Sequence, residues 1–354
     1  MPAIFLAAAA AAVASFTGLQ PQLASGGGAI YLTFAAGDVV SVARSTDAGA
    51  TFTPPVPLPA AGALSLGKRR GPRVAATSQA VVVAAIAGAK GGGADGNLLV
   101  YRSTDQGRTW AAPVVVNDVP GAAREGMHGL AATDAGLIVV AWLDLREKGT
   151  RIYAARSTDH GATWSADTLV YAAPSGSVCE CCHPSVAIGP DGRVAIMFRN
   201  QIDGHRDLYV VESRDGVRFG PAVKQGRGSW TLEACPMDGG SLVVGTASTD
   251  AVWRREATLY ATTTAAGAAV SSVESEIGPG QDPVIARDGM RLDLAWTGVG
   301  GIVLRQAGGL PAPLGPGRSA ALLALPAHTL IAAEHQGRVS VWRVPRSAAA
   351  GHSR

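Results

Sequence analysis

Four cysteines lie in two short segments of the sequence and could do metal or thiol chemistry. Cys179, Cys181 and Cys182 are followed directly by His183, and Cys235 stands alone further along the chain. Thiolate sulfur and imidazole nitrogen are protein ligands that suit Cu(I) and Zn(II). These five side chains are therefore a candidate metal site for copper or zinc, although their spacing is not that of a standard zinc motif.

The same cysteines allow two other interpretations. An even number of cysteines in an oxidising compartment indicates disulfides. A bridge between Cys181 and Cys182, or between Cys179 and Cys181, would close a small strained ring. The cleanest pairing therefore joins this cluster once to Cys235 and leaves two thiols. A catalytic or redox-active cysteine is the third interpretation, so disulfide stapling, metal binding and thiol chemistry all stay open.

A second set of polar residues has the composition of a site for an acidic ligand. Only 16% of the chain is charged, against ~25% in an average domain, so a concentration of arginines is informative. Guanidinium groups bind carboxylates through two parallel hydrogen bonds. The candidate ligand-binding residues are Arg70, Arg73, Arg124, Glu125, His128, Arg146, Arg199, Arg206 and Asp207. Asp144 and Glu233 are the candidate catalytic pair, because two carboxyl groups can cleave a glycosidic bond.

The composition indicates an all-β protein with many turns. The 354 residues include 45 glycines, and short apolar runs are separated throughout by Gly, Pro, Asp and Ser. The 30 basic and 27 acidic residues give a net charge of +3, which is too low for a nucleic-acid-binding protein. The one dense basic run, residues 68–70, is interpreted as a solvated turn. No segment is long and apolar enough for a membrane-spanning helix.

A repeated nine-residue segment indicates the architecture. Residues 44–52 (RSTDAGATF) recur at 102–110 (RSTDQGRTW) and 156–164 (RSTDHGATW), and a degenerate copy occupies 212–219. The serines of successive copies are 58, 54 and 56 residues apart. The pattern resembles the Asp box, S-x-D-x-G-x-T-[FW], of the sialidase-type BNR-repeat β-propellers. Its Ser and Asp oxygens can accept backbone N–H bonds in a tight turn, so the boxes are expected to be structural.

Apolar runs around the boxes predict the number of blades. Pairs of runs separated by a polar loop have the pattern of a β-hairpin. Seven pairs follow one another, at 30–34 with 39–43, 81–86 with 97–101, 137–142 with 152–155, 194–198 with 208–211, 241–245 with 258–261, 292–296 with 302–304, and 330–333 with 338–342. We therefore predict seven four-stranded blades, with six, the number in known sialidases, as the alternative. The last pair lacks a fourth strand, which segment 16–23 is expected to supply.

The resemblance also predicts where a site lies. In an Asp-box propeller the box joins the third strand of a blade to the fourth. The loops from strand two to strand three, and from blade to blade, therefore lie on the opposite face. All four cysteines and the candidate binding and catalytic residues fall in or beside loops of that face. Because sites are commonly built on loops at one end of a rigid scaffold, this face is the expected site.

The resemblance to sialidases further implies an arginine triad for a carboxylate, a Tyr–Glu nucleophile pair and an aspartic acid/base. The early Arg-Ile-Pro motif of that family is absent. Four tyrosines occupy matching third-strand positions, which indicates packing: Tyr101, Tyr153, Tyr209 and Tyr260. Three hypotheses are left: binding of a metal or small ligand, glycoside hydrolysis of the exo-sialidase type, and an interaction scaffold with disulfide-stapled loops. Whether the protein is an enzyme is open.

The N-terminal residues are typical of an export signal. Residues 4–14 form an apolar run that ends in Ala12-Val13-Ala14, a cleavage-site pattern. We therefore predict a signal peptide at 1–14, one propeller domain at 15–346 and a disordered tail at 347–354, in a periplasmic or secreted protein. The expected form is a monomer that binds a small molecule, a glycan or a metal ion, with no nucleic-acid partner and no membrane span.

Overall fold

The computed structural model describes residues 11–346, which form seven separate antiparallel sheets. Within this part of the chain no helix is long and apolar enough to cross a membrane. In chain order the strands are β1 (Ala12–Thr17), β2 (Leu19–Gly26), β3 (Ala29–Ala36), β4 (Val39–Ser45), β5 (Val56–Pro57), β6 (Ala63–Leu64), β7 (Arg73–Ala76), β8 (Val81–Gly88), β9 (Asn97–Ser103), β10 (Val114–Val115), β11 (His128–Ala132), β12 (Ile138–Asp144), β13 (Arg151–Ser157), β14 (Thr168–Tyr171), β15 (Ser185–Ile188), β16 (Val194–Arg199), β17 (Leu208–Ser213), β18 (Val223–Lys224), β19 (Ser241–Val244), β20 (Ser248–Arg255), β21 (Thr258–Ala265), β22 (Ser275–Pro279), β23 (Gln281–Asp288), β24 (Arg291–Gly298), β25 (Gly301–Arg305), β26 (Ala312–Gly315), β27 (Arg318–Ala324), β28 (His328–His335) and β29 (Arg338–Pro345).

The sheets are the blades of a propeller, and their strands follow one another from the inside outwards. Blade 1 contains β2–β5, blade 3 β11–β14, blade 4 β15–β18, blade 5 β19–β22 and blade 6 β23–β26. In blade 2 the short β6 and β7 both pair with β8, and β9 and β10 follow outwards. The innermost strands β2, β7, β11, β15, β19, β23 and β27 contact one another in that order and close a ring. The predicted seven blades are thus confirmed.

Blade 7 joins the two ends of the described chain. Its strands β27, β28 and β29 are completed by β1, with Ala12 opposite Trp342 and Thr17 opposite Arg338. An N-terminal strand thus completes the last blade as predicted, but the predicted segment, 16–23, overlaps β1 only at Phe16 and Thr17, because the chain from Leu19 onwards forms the innermost strand of blade 1. β1 begins inside the predicted signal peptide, residues 1–14, of which residues 1–10 lie outside the described residues. The predicted tail, 347–354, also lies outside them.

The closing strand provides a test of where the folded domain begins. A chain that starts at Ser15 loses the pairings of Ala12 and Ala14 with β29. Each net backbone hydrogen bond contributes about 0.5–1.5 kcal/mol, so we expect the free energy of unfolding to fall by about 1–3 kcal/mol. Urea unfolding of chains that start at residue 11 and at Ser15 measures this difference. Equal midpoints would show that residues 12–14 add nothing to the closure.

The repeated turns follow the third strand of blades 1 to 4, and their hydrogen bonds explain the repeat. In the first turn the Ser45 hydroxyl donates to Asp47 and accepts the Gly49 N–H, at 2.7 and 2.8 Å. The Asp47 carboxylate also accepts the hydroxyl and the N–H of Thr51, and these bonds hold the pKa of Asp47 well below its ordinary value. Turns 103–109 and 157–163 repeat the pattern. The repeated aspartates are therefore occupied by local bonds.

Aromatic pairs pack the second strand of blades 3 to 5 against the third. The pairs, with ring centroids 6.3–6.5 Å apart, are Trp142 with Tyr153, Phe198 with Tyr209, and Trp253 with Tyr260. In blade 5 the predicted hairpin partner, 241–245, is instead the innermost strand, and the second strand is Ser248–Arg255. That strand begins with the polar residues Ser-Thr-Asp, so the pattern of apolar runs does not indicate it.

Candidate functional site

The mouth face, defined here as the face opposite the repeated turns, is built unevenly. Long connections reach it from blades 1 to 4, at 58–72, 116–127, 172–184 and 225–240, and another joins β16 to β17 at 200–207. In blades 5 to 7 the connections on this face have only one or two residues. All four cysteines and the predicted ligand-binding side chains lie in or beside the long connections, so the mouth is the place to look for chemistry.

Asp144, the predicted acid/base, is fully engaged in structural bonds. Its buried carboxylate accepts the indole N–H of Trp142 and two N–H groups of the Arg146 guanidinium, each at 2.8 Å. Arg146 also pairs with Asp167 and lies over the ring of Tyr153, 3.9 Å from its centroid. With the Arg146 backbone N–H, four donors occupy the two oxygens and leave no acceptor position for a substrate group. The structure therefore corrects the catalytic assignment of Asp144 and the ligand-binding assignment of Arg146.

Arg199 is a structural clamp rather than a ligand-binding arginine. Its side chain is 1% exposed and donates to three backbone carbonyls, those of Asp238, Arg206 and Arg254, at 2.5–3.0 Å. The guanidinium also faces the Trp230 ring, with 5.2 Å to the centroid. The three carbonyls belong to three separate segments of the mouth. The assignment of Arg199 to ligand binding is therefore wrong, since its N–H groups already tie these segments together.

Three further candidates are bonded within the protein. Arg70 donates to the backbone carbonyl of Glu125 and pairs with the carboxylate of the same residue at 3.4 Å. Asp207 accepts the backbone N–H of Trp230 at 3.0 Å and pairs with Lys224 at 2.9 Å. These contacts hold the loops of neighbouring blades together. They leave Arg70, Glu125 and Asp207 without a free group directed at a common site.

Glu233, Arg124 and Arg206 make few or no side-chain hydrogen bonds among the described residues, and the structure does not bring them into one site. Glu233 and Arg124 are exposed and make no side-chain hydrogen bond among residues 11–346. Arg206 is half-buried, and its Nε–H donates to the Leu232 carbonyl at 3.4 Å. The catalytic role of Glu233 and the binding roles of Arg124 and Arg206 stay predictions.

His128 is buried as a neutral imidazole. The ring is 1% exposed, its Nε2 lies 3.2 Å from the Ala84 carbonyl, and its Nδ1 has no partner among the described residues. Burial, together with the positive charge of Arg73, lowers the pKa of His128 to about 3. The ring is therefore uncharged at pH 7 and cannot attract an anion by its charge.

The buried imidazole makes a definite prediction for acid stability. Because the pKa of His128 is lowered in the folded state, its stabilising contribution is complete above about pH 6.5 and is lost as the pH falls towards 3. Between pH 7 and pH 4.5 we expect His128→Gln to lose about 2 kcal/mol less stability than the unsubstituted protein. His335→Gln, which alters an exposed ring, is the control. Identical pH dependence of all three proteins in urea unfolding would contradict the assignment.

A cavity of ≈ 170 Å³ lies on the propeller axis. All seven innermost strands contribute to its wall, which combines aliphatic side chains with polar ones. The polar part of the lining includes Arg69, Arg73 and His183, which come from the mouth end of blades 2 and 4 and the connection before blade 2. This axial cavity is the place where the structure brings predicted site residues from different loops together.

Arg73 is a buried cation without an acidic partner. It is 8% exposed, and its guanidinium donates only to the carbonyls of Arg69, Gly71 and Pro72 among the described residues, at 2.7–3.3 Å. Its Nε–H donates to no described atom. Burial and the neighbouring charge of Arg69 lower the pKa of Arg73 to about 9. A buried charge is stabilised by a counter-charge, and no negative group among the described residues neutralises the Arg73 guanidinium.

Arg69 lines the same cavity as Arg73, and its side chain extends from the connection before blade 2 to blade 6. It belongs to a tight turn closed by the Arg70 N–H to Gly67 carbonyl bond, and it has a φ of 60°. Its Nε–H points at Asp282 of blade 6, 3.4 Å away, which is the single hydrogen bond that its side chain donates within residues 11–346. The interpretation of residues 68–70 as a solvated turn is therefore wrong for Arg69, which is 5% exposed.

Two polar residues at the mouth of the axis were missed by sequence analysis. Gln20 and Asp282 each follow the first residue of an innermost strand, at a register irregularity, with φ values of 54° and 51°. Ser319 of blade 7 has the same position, with a φ of 54°. A non-glycine residue in this region signals a bulge that redirects a side chain. The shared signal is a glycine two residues earlier, which is too common to single them out.

His183 lies in the axial cavity and not among the cysteine sulfurs. Among the described residues, the group of potential metal-ligand atoms within 4.8 Å of one another consists of the sulfurs of Cys179, Cys181 and Cys182. The His183 ring is buried, its Nδ1 has no described partner, and burial with the charges of Arg69 and Arg73 holds its pKa well below the ordinary value. The predicted five-residue metal set is thus divided between two places.

The cysteines form one disulfide and one pair of thiols. Cys181 is bonded to Cys235, as the pairing of the cluster with Cys235 predicts, and Cys179 and Cys182 are free and buried. The two free sulfurs are 2.6 Å apart. Because Cys181 and Cys235 are bonded to each other, they cannot act as thiolate ligands. Copper or zinc binding stays a prediction that concerns Cys179 and Cys182 alone.

Residues 179–183 also have the C-x-x-C-H spacing of covalent haem attachment, which sequence analysis did not consider. The structure does not fit a haem. Cys179 and Cys182 are completely buried with their sulfurs in contact, and the neighbouring cavity measures ≈ 170 Å³. A porphyrin edge could not reach both sulfurs in this arrangement.

A larger groove of ≈ 590 Å³ lies between blades 4 and 5, beside the fourth repeated turn. Four of its charged groups form pairs, Arg193 with Glu212 and Arg218 with Asp215, whereas Arg214 of the lining makes no salt bridge among the described residues. Asp215 is also held by the turn N–H groups of Val217 and Arg218. The one arginine of the groove without a described partner, Arg214, is exposed to solvent, whereas the arginines of the axial cavity are buried.

Comparison with known proteins gives a family and a set of similar folds. Residues 68–225 match the BNR repeat-like domain family. No curated protein is significantly similar in sequence to the chain.

Three solved structures share the fold. An ulvan lyase, described as a new polysaccharide lyase family and bound to -[GlcA(1-4)Rha3S]-, has a TM-score of 0.55 and 10% identity over 94% of this chain and 95% of its own. An α-L-arabinofuranosidase of Fusarium graminearum with an iminosugar inhibitor has a TM-score of 0.50 and 13% identity over 94% and 98%. AofleA of Arthrobotrys oligospora, with three arginines replaced by alanine, has a TM-score of 0.50 and 12% identity over 95% and 90%.

These identities show a common fold and do not transfer an activity. The family match covers blades 2 to 4, which carry three of the four repeated turns and three of the four cysteines. Residues 11–346 form a seven-bladed β-propeller, and residues 68–225 of it match the BNR repeat-like domain family.

Proposed function

We propose that the protein binds a small carboxylate-bearing ligand in the axial cavity. The observation that carries the proposal is Arg73, a buried guanidinium with no acidic partner among the described residues, beside a second guanidinium that is only partly satisfied. A carboxylate accepts two parallel N–H bonds from such a group. An anionic ligand would therefore supply both the missing charge and the missing acceptors.

The size and lining of the cavity restrict the ligand further. Its ≈ 170 Å³ is below the ~300 Å³ at which sites for drug-sized molecules begin. The cationic groups lie at the mouth end, and the rest of the wall contains aliphatic side chains together with Gln22, Ser185 and Ser241. We infer a ligand of about one sugar unit, with its acidic group towards the mouth. Acidic sugars are the first class to test, because a structural neighbour was solved with a GlcA-containing oligosaccharide.

A second candidate function is proton abstraction beside the bound carboxylate. His183 is held neutral in the same cavity as Arg69 and Arg73, and its Nδ1 has no described partner. A neutral imidazole is a general base, and guanidinium groups can stabilise the negative charge that develops when a proton next to a carboxylate is removed. Ultraviolet absorbance of a new C=C bond during incubation with an oligouronate tests this step. Unchanged absorbance at high protein concentration would exclude it.

Sialidase-type hydrolysis has weaker support. Arg199 and Arg146 are bound within the protein, and Asp144 is engaged by Trp142 and Arg146. Glu233 is then the single exposed member of the predicted catalytic pair. Two free carboxyl groups across a common space, which glycoside hydrolysis requires, are not present among these residues.

We further propose that the protein is exported and monomeric. The Cys181–Cys235 disulfide supports export, because such bonds persist mainly in oxidising compartments. The propeller closes through strand β1 of the same chain, so one copy completes its own edge.

Isothermal titration calorimetry of the full chain with glucuronate, galacturonate and glucose tests the proposed function. We expect one saturable site for a uronate and no measurable binding of glucose, because the acidic group provides the contacts. Arg124→Ala, which alters an exposed arginine away from the cavity, is the matched control and should bind like the unsubstituted protein. Equal affinities for glucuronate and glucose, or no binding of uronates, acetate or phosphate at millimolar concentration, would contradict the proposal.

A further inference from the structure

The four cysteines divide into an accessible pair and an inaccessible pair that touch each other. Cys235 is exposed and bonded to Cys181, whereas Cys179 and Cys182 are 0% and 1% exposed. The Cys179 sulfur lies 2.6 Å from the Cys182 sulfur and 3.6 Å from the Cys181 sulfur. One thiol is therefore in contact both with a second thiol and with a disulfide.

In the contact between Cys179 and Cys182, the surroundings favour the thiolate on Cys179 and the protonated thiol on Cys182. A hydrogen bond from Cys182, the Cys181 N–H and the positive charges of Arg206 and Arg199 lower the pKa of Cys179 to about 7. The thiolate is the attacking species in thiol–disulfide exchange, and the Cys179 sulfur is in contact with the Cys181–Cys235 disulfide. Burial raises the pKa of Cys182 well above its ordinary value, so Cys182 holds the shared proton. The better nucleophile is thus the sulfur next to the disulfide.

We propose that these cysteines form a thiol–disulfide relay, in which a disulfide moves between the Cys181–Cys235 pair, of which Cys235 is exposed, and the buried Cys179/Cys182 pair. In the first step the Cys179 thiolate bonds to the Cys181 sulfur, and the Cys181–Cys235 bond breaks. Cys235 leaves with the electron pair and takes a proton from solvent.

The second step completes the transfer. Cys182 gives up its proton and bonds to the Cys179 sulfur, and the short-lived Cys179–Cys181 bond breaks. Cys181 leaves with the electron pair and takes up that proton. One disulfide is present before and after, so the internal transfer needs no oxidant. The product has a buried Cys179–Cys182 disulfide and two thiols, of which Cys235 is exposed.

The external reactant is a disulfide of low molecular weight or of an exposed peptide segment. Such a disulfide, RSSR, can oxidise the released Cys181/Cys235 pair and leave as two RSH. The net reaction is the oxidation of the buried dithiol by RSSR with release of two RSH, and the reverse reaction oxidises two RSH to RSSR while the buried disulfide is reduced to the dithiol. The relay is needed because the buried sulfurs have no direct contact with solvent.

Disulfide mapping of the unsubstituted protein is the first test. The full chain is held anaerobically without external disulfide, quenched in acid, alkylated and mapped by mass spectrometry. We expect two isomers with one disulfide each: Cys181–Cys235 with alkylated Cys179 and Cys182, and Cys179–Cys182 with alkylated Cys181 and Cys235. Detection of Cys181–Cys235 alone, at every pH from 6 to 9, would overturn the relay. So would two disulfides that resist reduced glutathione, or a stoichiometric copper or zinc ion that blocks both thiols.

Kinetics with oxidised glutathione give the second test. We expect the buried pair of the unsubstituted protein to be oxidised about tenfold or more faster than that of the Cys181→Ser/Cys235→Ser double variant, which has lost the accessible pair. Thermal unfolding checks that the double variant is folded. If the double variant is unfolded, the Cys182→Ser variant is used in its place. After treatment of this variant with oxidised glutathione, an excess of dithiol of matched potential should reduce every disulfide of Cys179, because the thiol that would form the buried disulfide is absent. Equal oxidation rates in the presence and absence of Cys181 and Cys235 would also overturn the proposal.

Discussion

Replacement of Arg199 by alanine is expected to destabilise the propeller by about 3–5 kcal/mol, which is more than any other single substitution at the mouth. The guanidinium of Arg199 satisfies the carbonyls of Asp238, Arg206 and Arg254 inside the protein. Without it, these buried acceptors lose their donors, and the Trp230 ring loses a cation above its face. Urea unfolding followed by tryptophan fluorescence measures the loss.

Arg124→Ala is the matched control for this prediction. Arg124 lies on the same face, is exposed and makes no side-chain hydrogen bond among the described residues, so its loss is expected to change stability by less than about 0.5 kcal/mol. The Arg199→Lys variant can donate to only some of the three carbonyls, so its loss of unfolding free energy should lie between those of Arg199→Ala and the control. An unfolding free energy of Arg199→Ala within 1 kcal/mol of the control, a margin well below the expected loss, would show that the clamp is not structural.

Arg73→Gln is expected to weaken binding of the acidic ligand by about 100-fold, because removing one partner of a buried charged hydrogen bond costs about 2–5 kcal/mol. The pH dependence provides a signature that a merely structural role would not give. Since the pKa of free Arg73 is about 9, affinity should be constant between pH 6 and 8 and should fall as the pH rises above 9. At pH 9 binding should take up protons, as the bound carboxylate restores the charged form.

Calorimetry in buffers of different ionisation enthalpy measures this proton uptake. We expect the unsubstituted protein to take up protons on binding at pH 9 and not at pH 7. The Arg73→Gln variant should take up no protons at either pH. Arg70→Gln, which alters an arginine already paired with Glu125, should leave both affinity and proton uptake nearly unchanged. Affinity that is independent of pH up to 10.5 would mean that Arg73 does not hold the ligand.

The fold was predictable from sequence because its determinants are local. Each repeated turn is closed by bonds between residues at most four positions apart, as from Ser45 to Gly49, so the pattern survives in the sequence. Seven hairpins gave seven blades for the same reason. The closing strand was placed a few residues late, because the pairing of Ala12 with Trp342 joins the two ends of the chain and leaves no local pattern.

The site was only partly predictable because its contacts are distant in sequence. Arg73 and Arg199 look alike as arginines at strand ends on one face. What distinguishes them is that Arg199 meets carbonyls contributed by the segments around Asp238 and Arg254, whereas Arg73 meets no acidic side chain within residues 11–346. Arg69 was interpreted as solvated because its partner, Asp282, follows 213 residues later. The pairing of Cys181 with Cys235 was accessible to sequence reasoning, since the two lie in consecutive connections of one face.

A crystal structure of the chain with a bound uronate is the most direct test of the central claim, which is that the axial cavity is a carboxylate site. We predict electron density for one ligand in the cavity, with its carboxylate within hydrogen-bond distance of the Arg73 guanidinium and near Arg69. Density confined to the exposed surface around Arg124 and Glu233, with the cavity and the Arg73 contacts unchanged, would contradict it.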